Sequence, residues 1–182
     1  RIYVSRSKMP INSGRAIGEE LFEKYLISNG YKIFHPEYYS LFQQLTVYSN
    51  AKKIIFLSGS SLHSCILLPD LRADVAVIAR WQDPVDNLYQ IKQFTGFGKT
   101  VLGVDALRGQ YQFGREYYNS LSDVDWYKAS ILLKSEGFLD TPFDDFNQLD
   151  YSRIVKSEIR NLISAISNDP EFIDFMINAK EK

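Results

Sequence analysis

The stretch from Ile54 to Asp70, IIFLSGSSLHSCILLPD, sets four apolar residues before a Ser-Gly-Ser-Ser turn and a second apolar run after it. A short apolar run bounded by a glycine turn reads as a buried strand. The run beyond the turn reads as a helix that starts near Ser60 and carries His63 in its first turn. Strand, glycine turn and helix form the repeating unit of parallel α/β sheets. The turn Ser58-Gly59-Ser60-Ser61 then has two readings. Either Ser58 or Ser60 simply caps the helix, or the turn holds an anion on N–H groups that lack intrahelical acceptors.

Working outward, the same rhythm recurs on both sides. Ile2 to Ser5 reads as a strand, Ser7 to Arg15 as a polar loop, and Ala16 to Ser28 as a helix stopped by Asn29-Gly30. Tyr31 to Phe34 is the next strand, followed by His35-Pro36-Glu37 and a helix over Leu41 to Ser49 for which Ser40 is the natural cap. Strands over Lys53 to Leu57, Asp74 to Ala79 and Thr100 to Val104 continue the series, with a helix over Asp86 to Phe94. The pattern predicts an α/β fold: a Rossmann-like parallel sheet with helices on both faces. Beyond Gly109 the register weakens; YQFGREYYNS reads as loop, and helices are expected over Asp123 to Ser135, Ser152 to Ile166 and Pro170 to Ala179. The expected division is a Rossmann-like core over 1–108 and a mostly helical extension over 109–182.

Composition narrows the class. Hydrophobic residues make up 45% of the chain and charged residues 24%, which suits a folded core and excludes a disordered chain. The net charge of −1 argues against nucleic acid as a partner and places any anion at a small, local site. The single cysteine, Cys65, excludes an internal disulfide and reads as a buried, inert thiol. Twelve tyrosines and twelve phenylalanines either fill the core or line a sugar or base site. No apolar run is long enough for a membrane span. The chain begins on a strand without a preceding Met, which suggests a piece of a longer protein.

In an open parallel sheet, ligands sit beyond the carboxyl ends of the strands. Several candidate side chains fall there. Arg6 and Arg15 follow the first strand, and an arginine fork suits a diphosphate. Glu37 follows the second strand, where a carboxylate can accept from both ribose hydroxyls, and Gln44 lies one turn into the next helix. Ser58, Gly59, Ser60 and Ser61 offer backbone N–H groups and hydroxyls, and His63 a ring N–H. Solvated surface charge and helix capping are the alternatives for these residues. No histidine, cysteine or carboxylate spacing points to a metal. GSSLHS lacks the second glycine of a nucleophile elbow, and GFGKT at Gly96 to Thr100 is too short for a P-loop and precedes a strand.

The ordered set of Ser5-Arg6, Arg15, Gly18-Glu19, Pro36-Glu37, Gln43-Gln44 and Ser58-Gly59-Ser60-Ser61-Leu62-His63 carries a resemblance. It resembles the C-terminal nucleotide-sugar-binding half of a glycosyltransferase family. That family includes bacterial capsular-polysaccharide biosynthesis proteins and related xylosyl- and N-acetylglucosaminyltransferases. Gly18, Gln43 and Ser58 depart from its pattern, where asparagine, glutamate and histidine are usual. The resemblance implies the C-terminal domain of a GT-B enzyme that takes a nucleotide-diphosphate sugar as donor and transfers it with inversion, without metal or cofactor. It implies Arg6, Arg15 and the Gly59 to Ser61 backbone on the diphosphate, Glu37 on the ribose, and His63 near the diphosphate or sugar. The implied partners are a nucleotide-sugar donor, a saccharide acceptor, a missing N-terminal α/β domain and a membrane-associated biosynthetic complex. The implied setting is the cytoplasm, at the periphery of the inner membrane, in capsular or surface polysaccharide synthesis. No residue offers itself as the catalytic base, so a chain lacking its first half is expected to bind donor without transferring sugar. The alternative is a non-catalytic nucleotide-sugar-fold module that stabilises a partner through its C-terminal helices.

Overall fold

The computed structural model describes residues 1–11, 13–81, 92, 101–111, 120–143 and 148–167. Among these, five strands form one sheet: β1 (Ile2–Val4), β2 (Lys32–Phe34), β3 (Lys53–Leu57), β4 (Asp74–Ile78) and β5 (Val101–Val104). Their order is β2-β1-β3-β4-β5, and each neighbouring pair is parallel. The register sets Val4 beside both Phe34 and Phe56, and Leu57 beside Ile78, so β1, β2, β3 and β4 reach one rim together.

Alternation along the strands feeds two cores, because successive side chains leave opposite faces. Tyr3, Ile55, Leu57, Ala76 and Ile78 pack on one face against Phe22 and Leu26 of α1 (Glu19–Ser28) and Trp126, Ala129 and Leu133 of α3 (Trp126–Ser135). Ile2, Val4, Ile54, Phe56, Val75 and Val77 pack on the other face. There they meet Tyr48 of α2 (Leu41–Ser49) and Leu62 and Cys65 of a 3-10 helix, Ser60–Leu67. The expected α/β sheet with helices on both faces is therefore present in its general form, and it is consistent with a Rossmann-like architecture. Aromatic residues go largely to this core: Phe22 stacks on Trp126 at 4.6 Å and meets Tyr3 and Phe143 edge-on. The Trp126 indole N–H is satisfied by the Ile17 carbonyl at 2.7 Å.

Local chemistry accounts for the element ends. Gly30, at φ +78°, follows α1, and the Tyr31 N–H turns back to the Leu26 carbonyl, so the Asn29-Gly30 stop forms as expected. Ser40 caps α2 in a reciprocal capping box with Gln43. At the other end of α1 the sequence reading fails. The helix begins at Glu19 instead of Ala16, because Ala16 bridges to Ser122 and Gly18 takes a left-handed φ of +72°. The segment after the Gly59 turn is a 3-10 helix, which puts His63 beyond its first turn. Strand β6 (Leu107–Tyr111) pairs antiparallel with β7 (Leu121–Val124), so strand structure takes in Tyr111 at the start of the expected loop YQFGREYYNS, whose residues 112–119 lie outside the described residues. Asp125 caps α3 by accepting from the Lys128 N–H, and α4 spans Gln148–Ser167. The helix expected over Asp86 to Phe94 (Lys92 apart), the GFGKT segment and the helix expected over Pro170 to Ala179 lie outside the described residues. Among the described residues no helix is long and apolar enough to cross a membrane.

Candidate functional site

The chain runs from β1 to β2 on one side and then to β3 on the other, so the strand order reverses between β1 and β3. Parallel sheets of this order leave a crevice beyond the carboxyl ends of those strands. A cleft of about 330 Å³ opens there. Arg6 and Met9 enter it from the loop after β1, Pro36 and Glu37 from the turn after β2, and Leu41 and Gln44 from α2. Its remaining polar lining includes Ser60, Ser61 and Ser64 of the 3-10 helix. Three separate loops of the sequence thus meet in one space.

Arg6 is the cation of this cleft, and it is fastened on two sides. Its Nε donates to the Gly14 carbonyl at 2.7 Å and its Nη2 to the Ser13 carbonyl at 2.5 Å, while its backbone N–H donates to Glu19 Oε1 at 2.8 Å. Nη1 lies against Gly59. A Cβ built on Gly59 would overlap Nη1 and stand 3.1 Å from Cζ. The Gly59 φ of 169° is ordinary extended backbone, so the close approach of the guanidinium is what a side chain here would disturb. Burial lowers the Arg6 pKa, and the carboxylates of Glu19 and then Glu37 oppose that shift.

The turn after β3 lies beside that cation. The Ser58 N–H donates to the Ile78 carbonyl and the Ser58 carbonyl accepts from Arg80 Nε at 3.0 Å, which ties this residue to the sheet. Ser58 is buried and does not line the cleft. Gly59 is the helix cap and no side chain hydrogen-bonds there, so the capping role open to Ser58 or Ser60 is not the one taken. Ser60 and Ser61 face the cleft at the start of the 3-10 helix, where the first N–H groups have no acceptor within the helix.

On the opposite wall, Glu37 occupies a one-turn 3-10 segment, Pro36–Tyr38, with Oε1 3.9 Å from His35 Nδ1. Gln44 holds this turn: its amide N–H groups reach the Pro36 carbonyl at 2.9 Å and the Tyr39 carbonyl at 3.0 Å. Besides Ser58, two more expected site residues are elsewhere. Arg15 is not among the lining residues; its charge acts on Glu158 of α4, whose Oε1 accepts from the Gly18 N–H at 3.1 Å. His63 is exposed on the 3-10 helix, away from the lining. Cys65 is buried, and burial pushes its thiol up to about 12, as an inert cysteine requires.

Two charged groups next to the cleft escaped the sequence reading. Arg80 is 2% exposed, supports the Ser58 carbonyl and lies 4.4 Å over the Trp81 ring. Burial, and then the like charge of Arg6, lower its pKa to about 9, which leaves it cationic at neutral pH. Its one sequence signal is a charge placed directly after the apolar run DVAVIA. Glu19 enters the sequence pattern only through the family resemblance. It is 1% exposed and accepts the Arg6 amide. Among the described residues no group of three or more His, Cys, Asp or Glu side chains is gathered in a way that would hold a metal ion.

Comparison with known proteins gives one family. The model of the family described as Glycosyltransferase 61 matches residues 1–75, the segment that contains β1, β2, β3 and every cleft-lining loop. No curated protein and no solved structure matches the chain. The match falls on an N-terminal stretch of this chain. It overturns the identification with the C-terminal nucleotide-sugar-binding half of a glycosyltransferase, and with it the expectation of a missing N-terminal α/β domain as partner. The relationship is to a glycosyltransferase family, over 75 of 182 residues, and it suggests a role connected with sugar transfer.

Proposed function

We propose that this chain is a glycosyltransferase-related domain that binds a nucleotide-sugar donor in the cleft beyond β1 and β3. The observation that carries the reading is the Arg6 guanidinium packed on Gly59 at the reversal of strand order, within the family-matched segment. Arg6 and the N–H groups at the start of the 3-10 helix take the diphosphate, and Glu37 across the cleft takes the ribose hydroxyls. Ser60 and Ser61 add hydroxyl donors along the floor, while Ser64, whose proton goes to the Ser61 carbonyl at 2.7 Å, offers only an acceptor. In sugar transfer, negative charge grows on the departing nucleoside diphosphate. Fixed donors aimed at that oxygen stabilise the transition state more than the ground state. This division of labour suits inverting transfer without a bound metal, in which a cation and backbone dipoles stabilise the leaving group.

Calorimetry with a panel of UDP- and GDP-sugars tests the reading. Saturable binding by one member, lost in Arg6→Ala, is the expected result. A chain that binds none of the panel overturns it.

A further inference from the structure

Glu19 and Arg80 are the charged side chains buried among the described residues. Glu19 Oε1 accepts from the Tyr3 hydroxyl at 2.9 Å and the Arg6 amide at 2.8 Å, and lies 3.0 Å from the Ser5 hydroxyl oxygen. Oε2 is buried with no hydrogen-bond partner among the described residues. The charged or titratable groups that face this carboxyl are Tyr3 on β1, Arg6 on the following loop, Glu23 on α1 and Arg80 at the end of β4.

Counting protons around Ser5 restricts the charge of this cluster. Ser5 Oγ lies 3.0 Å from Glu19 Oε1 and 2.5 Å from Glu23 Oε1, and it accepts from the Ser7 N–H at 2.9 Å. A hydroxyl has one proton and can donate to only one of two carboxylates. The second oxygen–oxygen contact is attractive only if one carboxyl group carries a proton. Glu19, the more enclosed of the two, is the one for which ionisation is costlier, and burial raises its pKa to about 7. Neutral Glu19 can keep its hold on the Arg6 amide through an oxygen lone pair. It then places no negative charge beside the Arg6 guanidinium.

We infer that Glu19 is a positioning residue that works in its protonated form. It shares a proton with Glu23 through Ser5, orients the loop that carries Arg6, and leaves the Arg6 charge available to a diphosphate. This rests on the donor-site reading above. Ionised Glu19 competes with the bound anion for the same cation, so binding and proton uptake are linked. The affinity for a pyrophosphate diester then falls by about tenfold from pH 6 to pH 8.

The test is calorimetry of the full chain with the UDP- or GDP-sugar that binds, because the charge of such a diester is constant across this range. Glu19→Gln is neutral at every pH. Its affinity is expected to be flat from pH 6 to pH 8, and at pH 8 tighter than that of the unaltered chain. Both histidines remain in this variant, so any pH dependence of theirs persists in it and is separable. Carbon-13 NMR of the Glu19 carboxyl in the unaltered protein reads the proton directly and does not depend on how well the variant folds. The expected titration lies near neutrality and moves upward when ligand is added. A flat affinity profile in the unaltered chain overturns the inference, as does an undiminished slope in Glu19→Gln or a Glu19 carboxyl fully ionised at pH 6. Binding that is abolished by Arg6→Ala but indifferent to pH leaves the donor site standing without this role for Glu19. Absence of binding at every pH overturns the donor site itself, and this inference with it.

Discussion

The β1 wall and the β2 wall of the cleft supply side chains to the same space, yet they are held in different ways. On the β1 wall, Arg6 is tied at its main chain by Glu19 and at its guanidinium by the Ser13 and Gly14 carbonyls, against buried neighbours. On the β2 wall, Glu37 rides on a single 3-10 turn fastened by the Gln44 amide. The adjoining Tyr38 is 66% exposed and Phe42 79% exposed. The contrast teaches where preorganisation is placed. The cation is fixed by bonds formed during folding, so little ordering remains to be done when an anion arrives. The carboxylate wall is wetter and has fewer buried contacts, as expected of a region that adjusts to its ligand.

That contrast makes the two walls unequal under mutation. The largest effect is expected from Arg6→Ala, with nucleotide-sugar affinity down by roughly a hundredfold, in line with about 1.5–3 kcal/mol for hydrogen bonds to a charged group. Calorimetry checks this, with thermal unfolding run beside it because the Ser13 and Gly14 carbonyls lose their partner. Next is the cost of burying Glu19. Its folded pKa, about 7, stands above the ordinary glutamate value of 4.5, so between those limits the folded state binds more protons than the unfolded one. Its contribution is fully present below about pH 4.5 and lost as pH rises toward 7. Chemical denaturation across this range is expected to show stability falling by up to ~1.4 kcal/mol per pH unit, a component absent in Glu19→Gln.

Gly59→Ala should act through the cation alone. The backbone there accepts alanine without strain, but the methyl group displaces Arg6 Nη1. Affinity is expected to drop by about tenfold while the melting temperature moves little, and equal affinity to the unaltered chain would show that the β1 wall yields as easily as its partner. The smallest effect belongs to Gln44→Ala. Freeing the Pro36–Tyr38 turn should weaken binding only about threefold, since that wall adapts. A loss as large as that of Arg6→Ala would erase the distinction between the walls.

Much of the architecture was legible from periodicity. Apolar runs of strand length separated by amphipathic helices predict a parallel sheet with two covered faces, and the caps at Ser40 and Gly30 follow from local chemistry. Arg6, Glu37, Gln44, Ser60 and Ser61 were readable as cleft residues because they follow strands whose carboxyl ends share one rim. The start of α1 was not readable. Ala16 has good helical propensity, and its bridge to Ser122, more than a hundred residues away, together with the left-handed turn at Gly18, draws it out of the helix. The β6 and β7 pair was missed for a different reason: LRGQY and LSDV are rich in polar residues and carry little hydrophobic signal.

Taken alone, then, the sequence determined the strands of the main sheet, the helices between them and which loops follow each strand, because those depend on neighbours within a few residues. Tertiary structure decided that Arg15 turns toward α4 while Arg6 turns toward Gly59. It also decided that Arg80 stands behind the β3 turn and that Glu19 is sealed beneath the Arg6 loop. The physical reason is that charge, burial and hydrogen-bond partnership are properties of what surrounds a group in space. Residues far apart in the chain supply those surroundings, and a local pattern does not record them.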